Sequence, residues 1–398
     1  NDARFITFGF APEKPFVRSI KFTGGTVAGG TDDYLDAGDV LDLNATIANP
    51  TAAFTVSAWI KRENSSSKNM SIISKRDNGF STGYDFKINA SNQAEMSWNG
   101  GSEFIASSVE IPITVWHQVA VIYDGSVAKL YIDGVEDTLA TTSATFNQPI
   151  GNNESFIIAA ADGEEVNTTA FFEGNIDEVR VWDTDLTKDQ LRFVMNQEID
   201  DNAGFIAGAY FNKGLEIPAF PQIIGIAVVP NTNDIATIPW TNLKGYYPMS
   251  TYTFTNSKDA SGNGNTAALK NLTTVDHQTA PLPYVSQTNS SWNTSTTWNA
   301  YSFQTIPGSA SLVDPAKTVD WNIVQISSNV TMNNTALPGA NYGNRNVLGL
   351  IVDDTFELTA EGTTTMSDGT DAGNGITVTH YLGLDGKIDL EGGSQLIQ

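Results

Sequence analysis

The sequence predicts an all-β chain, and three observations carry the prediction. Between Trp116 and Leu139, Val119, Val121 and Tyr123 alternate with Gln118, Ala120 and Ile122. Asp124-Gly125 then reverses the chain, Leu130 and Ile132 resume the period of two, and Asp133-Gly134 reverses it again, the pattern of a meander in an antiparallel sheet. From Ser290 onward the runs DWNIVQI, NVTM, NVLGLIV, FELTAEG and GITVTHYLGLDGKIDL are short and apolar, separated by polar turns and free of helical period. Close spacing of such strands suggests a β-solenoid, whose rungs bury side chains against each other; a small second β-sandwich is the alternative. With 398 residues, 34 Gly and 15 Pro, the chain has room for two or three domains, each with a core of its own.

In chain order, residues 1–200 read as strands and turns closed by one helix. Thr187 and Gln190 fit a capping box, and Leu191, Val194, Met195 and Ile199 form an apolar stripe over about three turns. In the strand before it, strict alternation puts Ile176, Glu178, Arg180 and Trp182 on one face and Asp177, Val179 and Val181 on the other. Residues 201–288 are broken by Pro218, Pro221, Pro230, Pro239 and Pro248 and read as a β-rich connector. Residues 289–398 make the solenoid-like stalk, and a pattern still running at Gln398 predicts that this chain is part of something longer.

Four segments occur in a diagnostic order: KFTGGTVAGGTDDYLDAGDVLDL (21–43), FTVSAWIKRE (54–63), the Trp116 meander, and FFEGNIDEVRVWDTDLTKDQL (171–191). Together they resemble a laminin-G-like jelly roll, of the concanavalin A-like and pentraxin-related kind, over residues 16–200. Later, GYYPM (245–249) and DASGNGN (259–265) resemble the opening strand and first turn of another such module, whose remaining strands do not follow. The first module lacks its own copy of that opening, so residues 240–272 are expected to fold back and supply it; the alternative is a degenerate second module reduced to a linker. The segment HYLGLDGKIDLEGGSQLIQ (380–398) is similar to parts of large surface proteins of gliding flavobacteria, exported by type IX secretion.

Composition narrows the partners. Lys plus Arg number 21 against 45 Asp plus Glu, a field that repels phosphate backbones and anionic membrane surfaces, so no nucleic-acid partner and no membrane insertion are expected. The chain has no cysteine, which removes disulfides, zinc–thiolate sites and thiol nucleophiles, and leans toward a bacterial surface protein. No apolar run reaches the roughly 20 residues that span a bilayer. The N-terminal NDARFITFGF lacks the basic start and apolar core of a signal peptide, so an export signal is expected to have been removed or to lie upstream.

Catalysis finds little footing. Asp177 and Glu178 adjoin on a strand and point to opposite faces, whereas a glycoside hydrolase needs two carboxylates converging across a cleft. Asp183 and Asp185 share a side, but in the turn before the helix, where carboxylates cap. His117, His277 and His380 lie in three separate regions, and no Gly-X-Ser-X-Gly elbow precedes a helix. The expectation is a non-catalytic protein.

The resemblance implies a structural calcium ion between the opening turn and the Asp of the Ile-Asp-Glu-Val-Arg strand. Asp177, Asp259, Gly262 and Asn263 are then the candidate ligands, a hard-oxygen set suited to calcium. On the rim, DNGFSTGYDF (77–86) and ADGEEVNTT (161–169) are candidate ligand loops, with Asp77, Asn78, Tyr84, Trp98 and Asp162 offering aromatic faces for sugar rings and polar groups for their hydroxyls. Core packing competes for Tyr84 and Trp98, and Trp59, Trp116 and Trp182 are assigned to the core. The expected function is adhesion or binding of an extracellular glycan or protein at the cell surface, with secretion machinery as a further partner; the alternative is a purely structural stalk or cargo domain.

Overall fold

The computed structural model describes residues 18–24, 32–65, 67–161, 170–211, 216–217, 220–221, 225–228, 236–249, 255–272, 275–277, 283–298, 306–333, 344–362 and 374–398. In the first half lie β1 (Arg18–Thr23), β2 (Tyr34–Asp36), β3 (Phe54–Arg62), β4 (Met70–Arg76), β5 (Gly83–Ile88), β6 (Gln93–Trp98), β7 (Glu103–Glu110), β8 (Trp116–Tyr123), β9 (Ala128–Ile132), β10 (Val135–Glu136), β11 (Thr141–Thr142), β12 (Ile157–Ile158) and β13 (Glu173–Trp182), followed by helix α1 (Lys188–Met195). Next come β14 (Glu198–Asn202), β15 (Phe205–Phe211), β16 (Glu216–Ile217), β17 (Phe220–Pro221), β18 (Gly225–Val228), β19 (Leu243–Tyr247), β20 (Asn256–Ser257), β21 (Ala267–Lys270) and β22 (Val275–His277).

Two antiparallel sheets face each other. One runs β10-β9-β8-β3-β13-β1-β22, and β19 also pairs with β13; the other runs β11-β7-β6-β5-β4-β12-β2-β21-β20. The second Asp-Gly pair forms the two-residue hairpin its composition requires: Asp133 and Gly134 have φ of 52° and 75°, between paired Ile132 and Val135. Inward-facing Val56, Val121 and Leu130 meet Ile73, Phe86 and Met96 across the sandwich.

The chain beyond α1 returns to this sandwich. β13 pairs along its length with β3, while on its opposite edge β1 takes the N-terminal half (Ile20 with Ile176) and β19 the C-terminal half (Tyr246 with Arg180). β21 pairs with β2 and β22 with β1, and Tyr247, Met249 and Ala267 join the core between the sheets.

Two expectations are corrected. β13 does not alternate strictly: its register against β3 shifts between Asp177 and Arg180, and Glu178 has φ of 49°. This bulge inserts one residue, so Ile176 shares the core face with Val179 and Val181, while Arg180 and Trp182 stay on the other side. Helix α1 starts with the expected capping box but spans only eight residues. Asn196 leaves helical geometry, Gln197 donates back to the carbonyl of Phe193, and Ile199 belongs to β14.

The last part of the chain contains β23 (Tyr284–Val285), β24 (Ser290–Ser291), β25 (Ile323–Ile326), β26 (Val330–Met332), β27 (Arg345–Val352), β28 (Glu357–Ala360), β29 (Gly375–Leu384), β30 (Lys387–Leu390) and β31 (Gln395–Ile397). Successive strands fall alternately into two sheets, β23-β25-β27-β29-β31 and β24-β26-β28-β30. Every described pairing within these two sheets is parallel, which a sandwich of hairpins cannot produce. Val324, Val330, Leu350, Leu358 and Ile376 fill the space between them.

The outer face of the five-stranded sheet packs on the outer face of the sheet containing β13. Trp321, Leu348 and Ile351 meet Trp59, Trp116, Ile122 and the apolar side of α1 in one cluster, and Asn196 donates to the carbonyl of Trp321 at 2.8 Å. Trp59, Trp116 and Ile122 on that face are thereby covered.

Candidate functional site

The 259–265 turn is organised by Asp259. Its Oδ1 accepts from the amides of Tyr246 (3.0 Å) and Ser261 (2.9 Å), and its Oδ2 from the amide of Asn265 (3.0 Å). Asn263 Nδ2 donates to the carbonyls of Leu243 and Lys244, and Asn265 Nδ2 to that of Lys244. The turn is thereby fastened to the start of β19, and through it to the C-terminal half of β13. Gly262, with φ of 86° and open space where a side chain would stand, lets the backbone double back.

The expected metal ligands lie on these neighbouring elements, but they form no ready oxygen cage. Asp259 accepts amide hydrogens on both carboxylate oxygens, and buried Asp177 accepts the amide of Glu178 at 2.9 Å. Among the described residues no group of three or more acidic or histidine side chains is gathered to hold a metal ion.

Beside the turn the end of the sandwich opens into a cleft of about 370 Å³. One wall is the 41–53 loop, with Asp42, Asn44 and Asn49 and the apolar surface of Leu41 and Ala48; the other carries Asp183, Lys244, Asn263 and Asn265; Phe54, Val181 and Trp182 border it but are fully buried. The buried Nε1 of Trp182 has no acceptor among the described residues. Some polar groups are already engaged: Lys244 Nζ lies 2.8 Å from Asp183, and Asn49 donates to the carbonyls of Ala53 and Asp183. A second hollow of about 460 Å³ continues past Pro50, Thr184, Asp185 and Thr241. Amides, a carboxylate and an ammonium lining the cleft suit a polyhydroxylated ligand.

The rim residues fare differently. Asp77 closes its own loop, accepting from Ser81 Oγ (2.6 Å) and from the amide of Thr82 (2.6 Å); exposed Asn78 follows it in the turn. Burial pushes the Asp77 carboxyl up, but these hydrogen bonds outweigh it and hold the group below its ordinary value. Tyr84 and Trp98 are corrected. Tyr84 points into the core and donates to the carbonyl of Leu41 at 2.8 Å; Trp98 is fully buried, stacks on Phe146 with centroids 5.4 Å apart and donates to the carbonyl of Asn147. Neither ring can meet a sugar. Asp162 lies outside the described residues.

The aromatic that does cross this surface is Phe80. Arg76 and Lys87 lie 4.8 Å and 5.6 Å from its ring centroid. Beneath it, Asp85 accepts from Ser71 Oγ at 2.7 Å, and Lys87 reaches Ser97 (2.8 Å), Glu95 (3.1 Å) and Asp85 (3.7 Å). Lys87 thus pairs with both carboxylates, Asp85 and Glu95, in a largely buried charge network. The signal for this network lies in YDFKI and AEMSW, which carry polar residues at alternate positions of paired strands; it is fainter than that of the turn-rich loops.

Residues 29–192 match the family described as the concanavalin A-like lectin/glucanases superfamily. Among solved structures, a candidate carbohydrate-binding protein from Bacteroides ovatus is 16% identical with a TM-score of 0.36, the match covering 66% of this chain and 62% of that one. A pentraxin from Limulus polyphemus is 19% identical with a TM-score of 0.32, over 45% and 82% of the two chains. Domains LG4-5 of the mouse laminin α1 chain are 11% identical with a TM-score of 0.29, over 41% and 40%. The chain thus spans less than two thirds of the Bacteroides protein. No curated protein matches it.

Proposed function

We propose that this is a non-catalytic, secreted cell-surface protein that binds a glycan in the cleft between the 41–53 loop and the 259–265 turn. The cleft carries the reading: it is lined by Asn44, Asn263, Asn265, Asp183 and Lys244, at a loop-built end of a sandwich whose residues 29–192 match a lectin and glucanase family. On this reading residues 1–200 with 240–272 make the binding module, the rest of 201–288 connects, and 289–398 form a stalk. The alternation of short parallel strands between two sheets supports a solenoid for that stalk. Adhesion at a bacterial surface, and export by the type IX pathway suggested by residues 380–398, belong to the same proposal; no described helix is long and apolar enough to cross a membrane.

The test is a glycan-array screen of the full chain with and without calcium, followed by calorimetry of any hit. Lys244→Ala, on the surface of the cleft, is expected to weaken a genuine cleft ligand about tenfold. Hits insensitive to Lys244→Ala would move the site elsewhere, and uniformly negative arrays would favour a structural spacer, the reading supported by the self-closed Asp77 loop. Calcium at Asp177 and the 259–265 turn is a further part of the proposal, and the ion would have to displace amide donors now on Asp259. Calorimetry with calcium checks it: equal binding by the parent and Asp177→Ala would remove that site.

A further inference from the structure

A cavity of about 630 Å³ lies where α1 faces the five-stranded parallel sheet, away from the cleft described above. Its charge runs against the rest of the molecule. Lys188, Arg192, Lys317 and Arg345 border it; Asp320 is the carboxylate on its wall, Asp314 pairs with Lys317 at 3.0 Å and Asp189 lies 3.6 Å from Arg192, which leaves the cations in excess in a chain of net charge −24. A protein this acidic repels anions, so a local reversal of sign is what a site for an anion requires.

Three details make it a prepared surface. Arg192 is held in place, its guanidinium 3.8 Å from the Trp321 ring centroid and its Nε donating to the carbonyl of Gly134 at 3.0 Å. Its nearest carboxylate, Asp189, is 3.6 Å from Nη1, beyond hydrogen-bond length, so the terminal nitrogens remain for a ligand oxyanion. Behind the wall, buried Arg345 donates to the carbonyl of Asn344 and to Asn293. It has no carboxylate within ion-pair distance among the described residues, and burial alone pushes it down to about 10, so it stays cationic at neutral pH. The remaining polar lining consists of amides and hydroxyls, among them Asn346, Thr377 and Gln395, groups suited to sugar hydroxyls. The volume falls within the roughly 300–1,000 Å³ of small-ligand pockets.

We infer that this cavity is a second saccharide site, selective for an acidic sugar whose carboxylate or sulfate meets Arg192, Lys188 and Lys317. Calorimetry on the full chain tests it with four probes: digalacturonate, a sulfated disaccharide, a neutral disaccharide and inorganic sulfate. The expected result is binding of one or both acidic disaccharides, with the neutral one at least about tenfold weaker. Arg192→Gln should weaken the acidic sugar about tenfold. Because that change also touches Trp321, the exposed Lys188→Gln and Lys317→Gln are made separately and should each weaken it about threefold. Lys244→Ala, in the other cleft, should leave it unchanged. Equal affinity for the neutral sugar, inorganic sulfate binding as tightly as the acidic sugars, or indifference to both lysine variants would each overturn the inference.

Discussion

Glu178 shows how much one residue carries here. As the extra residue of the β13 bulge, with φ of 49°, it bears a backbone strain of order 1–3 kcal/mol, and it stands beside Arg180 on the covered side of the sheet. Arg180 donates to the carbonyls of Val194 and Gln197 at the end of α1 and to Glu178 Oε2, which also accepts the hydroxyl of Tyr246 at 2.8 Å. Burial pushes the Glu178 carboxyl up, against the pull of Arg180 and Tyr246. Removing one donor should be felt without collapse: Tyr246→Phe is expected to cost about 1–3 kcal/mol, read from the urea midpoint. Glu178→Ala, which strands a buried guanidinium, should cost about 3–5 kcal/mol. Asp77 gives a pH dependence. Its carboxyl is held below its ordinary value in the folded chain, so its contribution to loop order is present above the unfolded value of about 3.9 and is lost as pH falls through the folded one. The Thr82 amide resonance should therefore move below about pH 4 in the parent and lose that step in Asp77→Asn.

At the scale of elements, legibility followed locality. Period-two runs and Asp-Gly turns made β8 and β9 readable, and Thr187 with Gln190 marked the start of α1; Thr187→Ala should cost about 1 kcal/mol in thermal or urea unfolding. Glu178 looks like any strand residue, so the bulge that reverses parity along β13 left no trace in IDEVRVW. The apolar stripe carried past Met195 to Ile199 because both residues are buried, one in a helix and one in a strand. Tyr84 and Trp98 lie opposite each other in neighbouring strands, and only that register shows which side of the sheet they share. The cleft was legible in part, through DASGNGN, but the 41–53 wall is brought to it by long-range packing that no local motif announces. Gly174, at the head of β13, has φ of 137°, and a Cβ added there would stand only 2.1 Å from the carbonyl oxygen of Lys61. Gly174→Ala is therefore expected to lower stability by more than about 1 kcal/mol, read by thermal unfolding.

At the scale of the whole molecule, the two halves are joined by an apolar seam centred on Trp321. Gly134 lies under it: a Cβ there would stand 2.8 Å from Trp321 Nε1 and 2.9 Å from Met195 Sδ. Trp321→Ala should cost about 3–5 kcal/mol and separate the melting of the parallel sheets from that of the sandwich in calorimetry. The shared edge of β13 also bears on how such a chain is made. Its first half is taken by β1, near the start of the chain, and its second half by β19, which follows α1 and β14–β18 in sequence. A ribosome or export channel delivering this protein from its N-terminus therefore releases an unfinished sheet. Half of one strand edge stays bare until residues beyond 240 emerge.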